Sequence, residues 1–260
     1  MREDSLSAHE LKEFLDEKAD QYQTSAFIDD DPISIPHRFT CKEDIEIAGM
    51  LAATIAWGNR KAILKSCDTM LELLDNSPYD FTMNASEAEL KQLQTFVYRT
   101  FQHDDLAGMV RGLQHIYRNG GLESLMTPSA DETIREALAR FRDTMIINLS
   151  QRTYKHIADV RNGAAGKRLN MFLRWMVRPS DKGVDFGIWK NISPSDLLLP
   201  LDVHTANTSR ILGILKRRQN DWKAVEEVTS TLRQLDPTDP IKYDFALFGL
   251  GIFEHWKDDA

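Results

Sequence analysis

Apolar side chains recur at intervals of about three to four residues along most of this chain, the period of helices that bury one face. Alternating patterns that would signal strands are scarce. Ser7-x-x-Glu10 and Thr40-x-x-Glu43 have the form of capping boxes, each placed ahead of a periodic apolar run. The second is expected to open a helix from Ile45 to about Trp57 that is apolar nearly all round and therefore central. Asn59 to Leu74 continues as another helix, broken at Asn76-Ser77-Pro78. Further helical patterns cover about 87–100, 104–118, 130–148, 166–177, 203–216, 221–235 and 240–254. Asn119-Gly120-Gly121 ends one of them, and Asp239-Pro240 starts the last with an N-cap and a first-turn proline. The expected class is all-α, with no repeat period and no low-complexity tract.

The longest weakly patterned stretch, Pro179 to Pro200, contains Asp181-Lys182-Gly183, Asp185-Phe186-Gly187 and Ser193-Pro194-Ser195. Its aromatic residues Phe186 and Trp189 argue for an ordered crossing between two helical subdomains. The expected division puts 1–44 and 179–260 in a subdomain formed by both termini, and 45–178 in one carrying a glycine hairpin. Residues before and after the crossing would then line a cleft between them.

Composition narrows the chemistry. A chain of 260 residues with 42% hydrophobic content can bury a sizeable core. No run of about 18 apolar residues suggests a membrane span, and Met1-Arg2-Glu3-Asp4-Ser5 opens without an apolar signal region, so a soluble cytoplasmic protein is expected. Cys41 and Cys67 are too few for a disulfide scaffold, a cysteine-rich zinc site or a four-cysteine iron–sulfur cluster. The net charge of −8 resides wholly in residues 1–50, which hold 13 acidic and 5 basic side chains. Residues 151–178 carry Arg152, Lys155, Arg161, Lys167, Arg168, Arg174 and Arg178 against the single acid Asp159, and a second basic cluster follows at Arg210, Lys216, Arg217 and Arg218. Such local patches suit a polyanion better than the total charge implies.

Two segments concentrate reactive groups. Gly163-Ala164-Ala165-Gly166-Lys167-Arg168 and Leu201-Asp202-Val203-His204 each place a turn immediately before a helical pattern. An amine able to attack carbon and a carboxylate able to manage its proton make a nucleophilic pair. Gly163 and Gly166 permit a tight turn whose N–H groups, beside a helix N-terminus, suit a phosphate. Blander roles exist for each: Asp202 as the cap of the helix that begins at Val203, and Lys167 as a surface lysine.

These residues resemble the helix-hairpin-helix DNA glycosylases of the endonuclease III and 8-oxoguanine glycosylase superfamily. There a Gly-x-Gly-x-Lys hairpin begins a helix carrying a catalytic lysine, and an apolar-Asp-x-His segment supplies a catalytic aspartate. Lys167 matches the lysine, and Leu201-Asp202-Val203-His204 matches the aspartate segment. The run from Lys167 to Arg174 is most similar to archaeal-type 8-oxoguanine glycosylases, and the whole chain resembles a bacterial branch of the superfamily. The glycines stand three apart instead of two, and Lys167 and Asp202 lie 35 positions apart, farther than in the commonest members.

The resemblance implies two helical subdomains with a helix-hairpin-helix motif and the active site in the cleft between them. It implies a base-excision glycosylase with AP-lyase activity on a damaged purine such as 8-oxoguanine, acting on double-stranded DNA as a monomer with no metal or cofactor. Lys167 and Asp202 would be catalytic, and Gly163, Gly166, Arg168 and Arg174 would contact the DNA backbone. Trp57, at the end of an early helix, would hold the extruded base, with Trp175 and Phe248 as weaker candidates alongside Trp189 and Phe245. Two other readings compete. One keeps the helical fold as a non-catalytic DNA- or partner-binding module. The other takes His103-Asp104-Asp105 as part of a metal-dependent all-α phosphohydrolase site, drawing on His9, His37, His115 or His156, although capping by Asp104 or Asp105 is the simpler role.

Overall fold

The computed structural model describes residues 6–256; Met1-Arg2-Glu3-Asp4-Ser5, where the sequence lacks an apolar signal region, lies outside the described residues. The fold is all-α. Among the described residues, paired strands are confined to one short hairpin, β1 (Val97–Tyr98) with β2 (Phe101–Gln102). None of the described helices is long and apolar enough to cross a membrane. The chain divides into two compact units, residues 1–27 with 162–260, and residues 28–161.

In the unit formed by the two ends of the chain, helix Tyr243–Ile252 is apolar on nearly every side and packs against helices Ala8–Tyr22 and Val203–Ile211. Ser7 and Glu10 form the expected capping box ahead of the first of these. Glycine decides how closely the helices approach. A Cβ on Gly249 would sit 2.0 Å from the Tyr22 ring, and one on Gly251 would lie 3.1 Å from both His204 Cβ and Thr208 Oγ1. Helix Lys167–Val177 buries every side chain from Leu169 to Val177. Its last carbonyls have no intrahelical partner; those of Trp175 and Met176 accept from Phe186 N–H at 2.8 Å and Trp189 N–H at 2.9 Å. The 179–200 stretch is therefore ordered as expected, but it lies wholly inside this unit and does not cross between units.

The unit boundary also departs from the sequence reading, which assigns the hairpin and its helix to the central subdomain. The reason is a buried charge network. Arg174 pairs with Asp244 at 2.5 Å and Asp185 at 3.3 Å, while Arg178 pairs with Asp185 at 2.5 Å and Asp239 at 2.7 Å. The Arg174 guanidinium also lies 4.4 Å from the Phe245 ring centroid. Charges removed from water need such partners, and here they tie the Lys167–Val177 helix to the C-terminal segments. Asp239, expected as an N-cap, spends its carboxylate on Arg178 and caps nothing.

In the other unit, every residue from Ile45 to Thr54 of helix Lys42–Thr54 is buried, as a central helix requires. Its N-cap is Cys41, not Thr40, and no side chain caps it. Helix Arg60–Leu73 follows, with Asn59 accepting from Ala62 N–H. The helix expected over 87–100 stops at Gln92, passes through a 3-10 turn at Leu93–Thr95 and gives way to the β hairpin, whose corner is Arg99 at φ 54°. Helices His103–Arg118 and Ile134–Ile146 complete this part of the core, the second behind a Thr133–Glu136 capping box.

Candidate active site

The hairpin is built around two left-handed glycines, Gly163 at φ 89° and Gly166 at φ 64°. Most side chains resist that region, which is why glycine occurs at both bends. Gly163 C=O accepts from Trp222 N–H at 2.9 Å, and Ala164 forms an isolated bridge with Asp221. Asn170 Nδ2 donates back to Ala165 C=O at 3.2 Å, locking the turn onto the helix it precedes. That helix starts at Lys167. Gly166 is its N-cap and provides no side-chain bond to the first-turn N–H groups, which leaves this end suited to an anion.

Asp202 is the N-cap of helix Val203–Ile211. Its Oδ1 accepts from His204 N–H at 2.8 Å and Thr205 N–H at 3.0 Å, and Thr205 Oγ1 accepts from Asp202 N–H in return. The other oxygen, Oδ2, lies 3.5 Å from Lys167 Nζ. The capping role anticipated for this aspartate is thus real, and it leaves one oxygen directed at the lysine. The pair is an ion pair, too long for a strong hydrogen bond. With the two side chains 32% and 21% exposed, it contributes only about 0.2–1 kcal/mol to stability, a small return for orienting both groups. The cap fixes the carboxylate rotamer, and a loose contact leaves the ammonium free to move and donate elsewhere.

Sequence reasoning missed the group behind this pair. Asp244 is fully buried, and burial pushes its carboxyl up to about 6 against the opposing pull of Arg174; Asp202 raises it further and Lys167 lowers it. Nothing local in Tyr243-Asp244-Phe245 distinguishes this aspartate from a helix-surface one, so no sequence signal points to it.

The remaining candidates divide. Arg174 is buried in the charge network and does not contact a DNA backbone; its positive charge, expected at the surface, is internal. Trp175 is completely buried, its Nε1 without a hydrogen-bond partner, and it offers no surface to a base. Arg168, in the first turn, is half-buried, and desolvation pushes its guanidinium down to about 10. Phe248 is half-buried with its ring edge-on to Phe27. Trp57 belongs to the other unit, where it is half-buried, stacks on His156 and meets Tyr98 edge-on, at centroid separations of 5.6 and 5.4 Å. Gly58 follows at φ 102°, and a Cβ there would strike Arg99.

The basic strip 151–178 is divided between the two units, and several of its cations are already partnered. Arg152 pairs with the buried Asp105, Arg161 with Asp143, and Arg178 is internal. The phosphohydrolase reading loses its geometry as well. Asp105 accepts from Gln102 N–H, Arg152 and Thr153, and His103 pairs with its neighbour Asp104 at 3.4 Å. Among the described residues no three His, Cys, Asp or Glu side chains are grouped to hold a metal ion.

No curated protein and no solved structure matches this chain. Residues 31–253 match the family described as "Protein of unknown function (DUF2400)", and the chain belongs to that family.

Proposed function

We propose that this protein is a DNA base-excision glycosylase with AP-lyase activity, acting on double-stranded DNA that contains an oxidised purine such as 8-oxoguanine. The observation that carries the reading is the 3.5 Å approach of Lys167 Nζ to Asp202 Oδ2, with the carboxylate held by its own helix cap. The lesion class rests on the resemblance of the Lys167 and Asp202 segments to 8-oxoguanine glycosylases.

In this mechanism the glycosidic bond breaks and its electron pair leaves with the base. Positive charge grows on the sugar, and Asp202 stabilises it electrostatically. Lys167, once its proton has passed to Asp202 or to the departing base, attacks C1′ with its lone pair. Opening of the sugar ring gives a Schiff base between Nζ and C1′. The released base or water takes the C2′ proton, and the electron pair left behind expels the 3′-phosphate by β-elimination, which nicks the strand. The hairpin and the uncapped first turn of the Lys167 helix hold a backbone phosphate through N–H groups.

The second reading, a non-catalytic DNA-binding module, is favoured by the fact that capping alone accounts for Asp202 Oδ1. Borohydride trapping separates the two. Wild-type protein incubated with a duplex containing an abasic site or 8-oxoguanine should yield a covalent adduct, and Lys167→Gln should abolish it while duplex binding persists. Binding without base release from oxidised, alkylated or deaminated substrates, with trapping that survives Lys167→Gln, would leave the module as the better account.

A further inference from the structure

The second basic cluster divides, in the structure, into cations that build a loop and cations that the loop displays. Helix Val203–Ile211 ends early, before left-handed Gly213, and the chain runs through an exposed loop to the cap of helix Trp222–Leu235. Arg210 closes the loop from inside. Its guanidinium donates to the carbonyls of Arg217 at 2.9 Å and Arg218 at 2.8 Å and to Asn220 Oδ1 at 2.5 Å. Arg217 pairs with Asp221, and Glu227 accepts from Lys216 N–H at 2.6 Å. Lys216, Arg218 and Lys223 remain exposed, and none of their side chains forms an ion pair among the described residues.

The loop is also stitched to the hairpin. Trp222 N–H reaches Gly163 C=O, and Asp221 bridges Ala164. The three exposed cations are therefore carried on a segment tied directly to the glycine turn that precedes Lys167. They border an open recess lined also by Arg217, Gln219 and Glu227, and do not converge into a closed pocket. Cations spread along an open rim fit successive charges of an extended polyanion better than one small anion.

We infer that Lys216, Arg218 and Lys223 form a second phosphate-contacting surface, which grips the nucleic-acid backbone beside the hairpin. This rests on the DNA-glycosylase reading and adds a contact surface to it; Arg210 and Arg217 serve to shape the loop and do not touch the polymer.

The test measures the affinity of the intact protein for a fluorescent duplex carrying a tetrahydrofuran abasic analogue, from about 50 to 200 mM KCl. Each phosphate that a variant fails to neutralise should lower the slope of log K against log salt by about 0.9, so Lys216→Gln/Arg218→Gln/Lys223→Gln should flatten it by roughly two to three. Arg218→Gln alone should flatten it by about one. Both variants should melt like wild type, which separates a lost contact from a damaged fold. A slope unchanged in both variants overturns the proposal and returns the loop to solvent or to an acidic protein partner; borohydride trapping of wild type on a separate duplex with a natural abasic site shows that the glycosylase reading has not failed with it. Wild-type protein that neither binds the analogue duplex nor is trapped on a duplex with a natural abasic site overturns both.

Discussion

Asp202 caps a helix with one carboxylate oxygen and faces Lys167 with the other, so two substitutions can separate the roles. Asp202→Ala removes both, and loss of the cap should cost about 1 kcal/mol, within a range of about 0.5–2. Asp202→Asn retains an oxygen where Oδ1 accepts from His204 and Thr205, and asparagine caps as well as aspartate does. It forfeits only the ion pair, about 0.2–1 kcal/mol for partly exposed partners. For a chain of this size each kcal/mol moves the melting midpoint by roughly 2–4 °C, so the alanine variant should melt clearly lower and the asparagine variant close to wild type. Base release should respond differently. Withdrawing a group that stabilises transition-state charge costs about 10²–10³ in rate, so both variants should be slow in single-turnover release of 8-oxoguanine from duplex DNA. Cleavage of a preformed abasic site, which skips that step, should slow less. An asparagine variant that releases base at the wild-type rate would show that the carboxylate is a cap and nothing more.

Three further outcomes are expected. Arg174→Met leaves Asp244 and Asp185 buried beside a neutral side chain and should destabilise the protein by about 3–5 kcal/mol in urea unfolding; a loss below about 1 kcal/mol would mean that the network is dispensable. Arg217 holds the Asp221 carboxyl down to about 2, so its contribution is complete above pH ~4 and is lost as pH falls through 2. Wild type should accordingly exceed Asp221→Asn in stability at pH 6 and converge with it near pH 2, whereas a constant gap would exclude this linkage. Trp57→Ala should reduce discrimination between damaged and intact duplex more than it reduces binding to either, if the ring receives the extruded base; equal losses would mark the tryptophan as packing for His156 and Tyr98.

What is legible in the chain alone is what neighbours within one helical turn dictate. The apolar period, the Ser7–Glu10 box and the starts of helices at Lys167 and Val203 depend on contacts three or four residues away. The same spacing alone does not suffice: Ser86–Glu89 and Thr133–Glu136 form boxes that the sequence reading does not single out, and Thr40–Glu43, which it takes for one, forms none because the helix starts after Cys41. Naming Lys167 and Asp202 also needs only their places beside two turns. Their 3.5 Å separation across 35 positions is a tertiary fact, as is the sharing of Asp202 between cap and lysine. Arg174 and Arg178 look like part of a surface stripe because a count along the chain sees charge but not burial. The carboxylates that receive Arg174 lie 11 and 70 positions away, at Asp185 and Asp244. Arg218 and Arg174 look alike in sequence, and only packing makes one available to a polyanion and the other part of the core. A charge withdrawn from water must find its partner wherever the fold provides one, so its role is decided by the three-dimensional arrangement and not by its neighbours in the chain.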